Sequence, residues 1–349
     1  MQKNYMGGIQ ALRLLACFFV LFQHVTFFTC YFKGIDYQPF LMINFGRLGV
    51  SLFFVISGYV MGMCLDQGKM FLWNRVARVY PPYWLAIVLS WLLLVPLGID
   101  WTFDFKSALL LPTLLVNNSY RIPYWTLCYE MAFYVLVFTL ILMRVSRKNM
   151  LWFCTAWLSV IIVVDAYKVI GDIDTAQAFA PVAQPGWGIL VTPYPIFFIA
   201  GLIASIGGLS RFERIPPVYL VFIAICTWAV SNNMKLPSPG PMFAMQSFSF
   251  ICLIAASKQI SFPSIVTRLG DYSYGIYLVH TIIIGALIAL FKSHGVEMRF
   301  SGVFAIFMLC SLIGGCAFGW LEHKLHSRFI KRMFKREPVR PVAQSLNAQ

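Results

Sequence analysis

A single apolar stretch, residues 9–28 (IQALRLLACFFVLFQHVTFF), most constrains what this chain can form. It is long enough to cross a bilayer as a helix, yet it contains Arg13 and His24. At about 100° and 1.5 Å per residue, both side chains lie on one helix face, about 16 Å apart in depth. Ionisable groups inside a membrane are costly and usually face a bundle interior or a wet cavity. We therefore predict that this face lines a functional cavity, although Arg13 could instead extend to the near surface while His24 bonds to a neighbouring helix.

The composition of the whole chain extends this interpretation. Of its 349 residues, 60% are hydrophobic and 11% are charged, whereas soluble domains have about 25% charged residues. The mean hydropathy is +0.75. At about 20 residues per span, this length predicts an all-α integral membrane protein, a bundle of about ten transmembrane helices without a cleavable signal peptide. The predicted spans are 8–30, 46–64, 79–98, 123–144, 151–168, 190–209, 216–232, 241–257, 270–291 and 301–321.

The net charge of +14 follows the predicted topology. With the N-terminus inside, 18 of the 27 basic residues fall in cytoplasmic segments and seven fall on the opposite side. By the positive-inside rule, both termini are cytoplasmic. Topology therefore explains the charge, and no nucleic-acid partner is expected. Residues 1–325 are predicted to form the transmembrane domain, and residues 326–349 a basic cytoplasmic tail near anionic headgroups.

The nine cysteines lie in or beside apolar runs and include no CxxC pair. Cysteine commonly packs as a small apolar residue in such runs. We expect neither a disulfide framework nor a bound metal.

Two neighbouring segments add polar groups and close-packing positions. The second span contains Ser57 and the pair Gly58 and Gly62, whose spacing of four lets another helix approach closely. Arg75 and Arg78 follow in the next cytoplasmic loop, just before two prolines. On a helical turn the two arginines would share a face and form a fork suited to phosphate oxygens, although lipid headgroups would attract the same pair.

Glu130 is the only carboxylate within an apolar run away from its ends. A buried glutamate needs a partner, because an isolated charge in a low dielectric is too costly. Counted from the outer surface, Glu130 lies about seven residues deep, close to the depth of His24. We therefore predict that Glu130 pairs with His24 and orients its imidazole.

Polar residues also occur in the last two spans. Tyr277 and His280 share one face of the ninth span, either as part of an inward polar stripe or as hydrogen-bonded packing residues. Glu322, at the cytoplasmic end of the last span, is expected to pair with an arginine.

These features occur together in a known family. Arg13 and His24 are followed by GVSLFFVISGY, by Arg75 and Arg78 before YPPYW, and then by WTLCYEMAFY, SYGIYLVH and a closing glutamate. This order, from residue 9 to residue 322, resembles that of the membrane acyltransferase-3 family. Each segment alone is weakly diagnostic, whereas the ordered set is specific.

The resemblance implies a membrane-bound O-acyltransferase of the bacterial inner membrane. Such an enzyme transfers an acyl group, usually acetyl, from cytoplasmic acyl-CoA to a hydroxyl of a cell-surface or lipid-linked sugar, such as O-antigen or exopolysaccharide. By position, Arg13 and His24 match the essential pair of the family, Arg75 and Arg78 its paired-arginine motif, and Glu130 its fourth-span glutamate. Some relatives carry an additional extracytoplasmic domain after the last span, and we expect none here.

The predicted site combines both lines of argument. His24 and Glu130 are assigned to catalysis, with His24 acting as a general base or as an acylated intermediate. Binding of the acetyl-CoA co-substrate is assigned to Arg13, Arg75, Arg78, Ser57, Tyr277 and His280. The expected partners are acyl-CoA, membrane lipid and a sugar acceptor.

A transporter or flippase of glycolipids or small acids is the alternative, because it would also use intramembrane Arg, Glu and His residues. Inverted-repeat transporters typically have a matched pair of broken helices, and this sequence lacks that pattern.

Overall fold

The computed structural model describes residues 2–112, 120–170, 186, 188–209, 211–234, 236 and 239–327. Within these ranges the chain forms eleven α-helices and no β-strand. The helices are α1 (Gln2–Lys33), α2 (Phe45–Met63), α3 (Met70–Leu94), α4 (Phe105–Ala108), α5 (Trp125–Leu142), α6 (Arg147–Ile170), α7 (Pro195–Gly207), α8 (Pro217–Asn232), α9 (Gly240–Ser257), α10 (Ser264–Ser293) and α11 (Phe300–Leu325).

Eight of the described helices are long and apolar enough to cross a membrane, whereas α7 and α8 have only 13 and 16 residues. Each of the ten predicted spans overlaps one of these ten helices, that is, the eight long ones or α7 or α8. The predicted fold class, an all-α membrane bundle, is confirmed. The count of ten spans and the cytoplasmic position of both termini stay predictions. Most of the predicted tail, residues 328–349, lies outside the described residues.

The third helix begins earlier than the sequence predicted. It starts at Met70, so Arg75 and Arg78 lie on a membrane helix and not in the loop before it. The prediction was wrong because charged residues lower the hydropathy of the first turns, and because Pro81 and Pro82 usually mark a boundary. Both prolines lie inside α3, as membrane helices tolerate when neighbouring groups satisfy the freed backbone atoms. The shared helix face predicted for the two arginines is therefore real.

Helix α2 packs directly on α7 through its glycines. A Cβ atom added at Gly58 would lie 2.0 Å from the Phe198 carbonyl oxygen, and one added at Gly62 would lie 2.5 Å from Ser205 Cβ. No side chain fits at either position without moving a neighbouring helix. The close approach predicted from the spacing of the two glycines is confirmed, with α7 as the partner helix.

The segment before α5 enters the bundle. The carbonyl oxygens of Ser107 and Leu109 accept hydrogen bonds from Tyr83 and Tyr80 at 2.8 and 2.7 Å, and that of Ala108 accepts one from the Trp84 indole at 2.9 Å. These donors lie near the middle of α3, so the chain is at mid-bundle depth by the end of α4. The sequence predicts that residues 106–116, which are too short to span a membrane, form either a periplasmic or a re-entrant helix before the fourth span. Over residues 106–112 the structure agrees with the re-entrant alternative, and residues 113–116 lie outside the described residues.

Candidate active site

A cavity of about 410 Å³ lies between α1, α2, α3, α5 and α10. This volume is within the usual range for small-molecule sites. Its exposed rim includes Met6 and Met63, which are 53% and 38% exposed, together with Cys64. Because α1 begins and α2 ends at this rim, the cavity opens at the predicted cytoplasmic side. Six predicted site residues line it: Arg13, Ser57, Arg75, Arg78, Glu130 and Tyr277.

The two arginines of α3 have different partners. Arg78 Nη1 donates to Glu322 Oε1 at 2.8 Å, and the Glu322 side chain is only 2% exposed. This ion pair confirms the arginine partner predicted for Glu322. Arg75 Nη2 donates to Cys64 Sγ at 3.0 Å, while its Nε atom has no hydrogen-bond partner among the described residues. Arg78 is therefore matched by a buried carboxylate, and Arg75 is not.

Glu130 belongs to this arginine cluster. Its Oε1 atom accepts a hydrogen bond from Tyr134, one helical turn further along α5. The charges of Arg13, Arg75 and Arg78 all act on the Glu130 carboxylate. The predicted contact between Glu130 and His24 is therefore wrong. The physical reason is the re-entrant segment: because α5 starts deep in the bundle, Glu130 lies closer to the inner end than a count from the outer surface indicates.

His24 instead pairs with His280. His24 Nδ1 and His280 Nε2 are 2.7 Å apart, and the two ring planes are nearly parallel, with an interplanar angle of 17° and a centroid distance of 5.0 Å that fits an edge-to-edge contact through these nitrogens. His280 is 1% exposed, whereas His24 is partly exposed. Neither ring lines the cavity, so the assignment of His280 to the donor-binding wall does not match its position.

Tyr277 lies between the cavity and the histidine pair. Its hydroxyl donates to the Pro123 carbonyl oxygen at 3.0 Å and is 2.5 Å from Thr126 Oγ1. The ring centroid of Tyr277 is 5.9 Å from that of His280 and 6.0 Å from that of Phe53. The arginine cluster, Tyr277 and the histidine pair therefore follow one another along α10, from the inner rim outwards.

Three residues that line the cavity, Tyr134, Thr126 and Tyr274, are not among the site residues predicted from the sequence. Tyr134 and Thr126 lie four positions on either side of Glu130 and line the same cavity. Helical spacing from Glu130 could have found both. Tyr274 lies under the Arg78 guanidinium at 5.8 Å and donates to the Val79 carbonyl oxygen at 3.0 Å, contacts that only the tertiary structure shows.

No group of three or more His, Cys, Asp or Glu side chains in the described part of the chain could hold a metal ion. The absence of a metal stays a prediction.

The sequence was compared with known proteins. The sequence model of the acyltransferase-3 family, described as an acyltransferase domain, matches residues 6–320. The exopolysaccharide production protein ExoZ of Rhizobium meliloti (strain 1021) is 27% identical over 306 residues, which cover 81% of this chain and 90% of ExoZ.

Two further relatives are similar over much of their length. Nodulation protein 10 of Rhizobium leguminosarum bv. viciae is 24% identical over 330 residues, 82% of this chain and 85% of that protein. Acyltransferase MdmB of Streptomyces mycarofaciens is 24% identical over 271 residues, 68% of each chain. No solved structure matches the chain.

Proposed function

Because the chain belongs to the acyltransferase-3 family, we propose that it transfers an acetyl group from cytoplasmic acetyl-CoA to a hydroxyl of a cell-surface or lipid-linked sugar. The site would lie in the bacterial inner membrane, with both termini in the cytoplasm. The name of ExoZ links that relative to exopolysaccharide production, which supports a sugar as the acceptor. The charges of the cavity support a phosphate-bearing donor.

The observation that carries the proposal is the polarity of the cavity along its length. Three guanidinium groups near the inner rim face two carboxylates, Glu130 and Glu322, so the ionised cluster retains one positive charge. Guanidinium groups bind phosphate oxygens through charge-assisted hydrogen bonds, and acyl-CoA carries several phosphates. Further in, the wall includes Val50, Phe53 and Leu127, which suit an uncharged acyl-bearing arm.

The chemistry also requires a base, and the histidine pair lies just beyond Tyr277, which lines the cavity. In our proposal, His24 takes the proton from the acceptor hydroxyl as its oxygen attacks the thioester carbon. The new C–O bond forms, the C–S bond breaks, and the proton passes from His24 to the leaving thiolate of CoA. Donor and acceptor would thus meet beside Tyr277, between the arginine cluster and the histidine pair.

Purified protein tests this function directly. The protein in detergent is mixed with acetyl-CoA and with surface glycans from cells that lack it, and no ion gradient is applied. Mass spectrometry should detect acetyl esters on the sugar, and His24→Ala should abolish them, while His294→Ala at an exposed helix end should not. Full acetylation by His24→Ala would exclude His24 as the catalytic residue. Gradient-dependent movement of glycolipid across the membrane of liposomes that contain the purified protein, without acetyl transfer, would favour the transporter.

A further inference from the structure

The histidine pair has a defined hydrogen-bond direction. His280 Nδ1 lies 3.0 Å from the carbonyl oxygen of Ile276, four residues earlier on α10, and His280 Nε2 lies 2.7 Å from His24 Nδ1. The Ile276 carbonyl already accepts the helical backbone N–H, and its second lone pair is free for the ring. Both Ile276 and His280 are 1% exposed, so the His280 ring is held by buried backbone of its own helix.

The carbonyl fixes which atoms carry protons. A carbonyl oxygen can only accept, so His280 Nδ1 must be the protonated nitrogen of that ring. A neutral imidazole has one N–H, which makes His280 Nε2 an acceptor. The short contact with His24 is then a hydrogen bond donated by His24 Nδ1. His24 Nε2 is left without a proton, and it is a nitrogen of the partly exposed member of the pair.

We propose that His280 is a positioning residue that holds His24 in the Nδ1–H tautomer, with Nε2 free to accept the proton of the acceptor hydroxyl. This inference rests on the proposed function. His280 is buried and acts through His24, not on the substrate. It takes the orienting role that the sequence had assigned to Glu130.

The same geometry stabilises His24 after it gains the proton. The hydroxyl proton goes to His24 Nε2, and the imidazolium then donates from Nδ1 to His280 Nε2 through a charge-assisted bond. This bond is stronger in the charged state than in the neutral one, so it contributes to the rate and not to ground-state binding. The cation is lost again when Nε2 delivers the proton to the CoA thiolate.

Two substitutions separate positioning from donor binding. His280→Leu removes the acceptor for His24 Nδ1–H and should lower kcat by about 10- to 100-fold, the value of one hydrogen bond to a charged group. The KM for acetyl-CoA should stay unchanged. His280→Gln can place an amide oxygen near the position of Nε2 and should restore most of kcat. An unchanged kcat in His280→Leu would overturn the proposal, as would equal losses in both variants with a raised KM for acetyl-CoA.

The tautomer can be measured in the wild-type protein, independently of whether the His280 variants fold. The chain has five histidines, so ¹⁵N-histidine NMR gives few signals, and His24→Ala and His294→Gln assign two of them. The His24 signal should show a protonated Nδ1 and an unprotonated Nε2. A His24 ring protonated on Nε2 would refute the assignment.

The His24→Ala arm distinguishes two failures. If His24→Ala is inactive while His280→Leu retains full kcat, only the positioning role is refuted. If His24→Ala itself retains full activity, the proposed catalytic function of His24 fails as well.

Discussion

Arg78 has both a structural and a proposed donor-binding role, and these can be separated by removing its ion pair in two steps. Arg78→Met keeps most of the apolar stem and deletes the charge. Glu322, which is 2% exposed, then loses its 2.8 Å contact with Arg78, the one ion pair it makes among the described residues. Adding Glu322→Gln removes the uncompensated charge.

The expected stability change follows from the burial of the pair. Removing one partner of a buried ion pair costs about 3–5 kcal/mol, whereas replacing both partners is often near neutral. Because the Arg78 side chain is 23% exposed at the cavity, we take the lower end, about 3 kcal/mol, for Arg78→Met. The double variant Arg78→Met/Glu322→Gln should return to within about 1 kcal/mol of wild type.

Donor binding should not follow this recovery. Loss of one charge-assisted contact to phosphate is expected to weaken acetyl-CoA binding by about 10- to 100-fold in both variants. Thermal unfolding in detergent, followed by the fluorescence of the ten tryptophans, measures stability, and calorimetric titration measures the Kd for acetyl-CoA. A double variant that recovers both stability and wild-type affinity would show that Arg78 serves the fold alone. A single variant as stable as wild type would contradict the magnitude assigned to the pair.

Three further predictions concern other parts of the cavity and the bundle. Glu130→Gln should change the KM for acetyl-CoA rather than kcat, because Glu130 faces the arginines; a loss of kcat alone would return it to the histidine site. Cys64, at the rim, should react with a membrane-impermeant maleimide in inside-out vesicles but not in right-side-out vesicles, and acetyl-CoA should slow the reaction. Labelling of Cys64 in right-side-out vesicles would contradict the predicted topology. The Cys64→Ser variant is the control for labelling at other cysteines. Gly58→Ala should destabilise the protein by about 3 kcal/mol or more, because its Cβ would lie 2.0 Å from the Phe198 carbonyl oxygen. Gly207→Ala is the control and should be neutral, because its Cβ meets open space. Equal melting temperatures of the two variants would refute the α2–α7 contact.

Features that depend on one helix at a time could be predicted from the sequence. The cost of Arg13 in the membrane predicted its place on a cavity wall, and the structure lines the cavity with it. Helical spacing gave the shared face of Arg75 and Arg78 and the close packing at Gly58. Each of these inferences needs only the period of an α-helix and the solvent properties of a bilayer.

Features that depend on the relative depth of two helices could not be predicted from the sequence. Placing Glu130 beside His24 required that α5 begin at the outer surface, but the carbonyl groups of Ser107 and Leu109 bond to the middle of α3 before α5 starts. A segment held in place by hydrogen bonds from another helix has no hydrophobic periodicity from which its depth could be predicted. The error of about one to two turns was enough to move Glu130 from the histidine pair to the arginine cluster.

This shift also explains why the two groups of polar residues are separate. If the arginine cluster lay beside the histidine pair, the imidazolium would be less stable than in the observed arrangement, because nearby positive charges oppose protonation. In the observed arrangement, Glu130 shares the arginine layer and Tyr277 lies between that layer and the histidines. In the proposed mechanism His24 must gain a proton, and this arrangement keeps it apart from the cations that would hold the phosphates, with His280 as its neutral partner in place of a carboxylate. In the proposed acyl transfer, the donor phosphates would therefore bind at one depth of the bundle, at the arginine cluster, and the proton would be transferred at another, at the histidine pair.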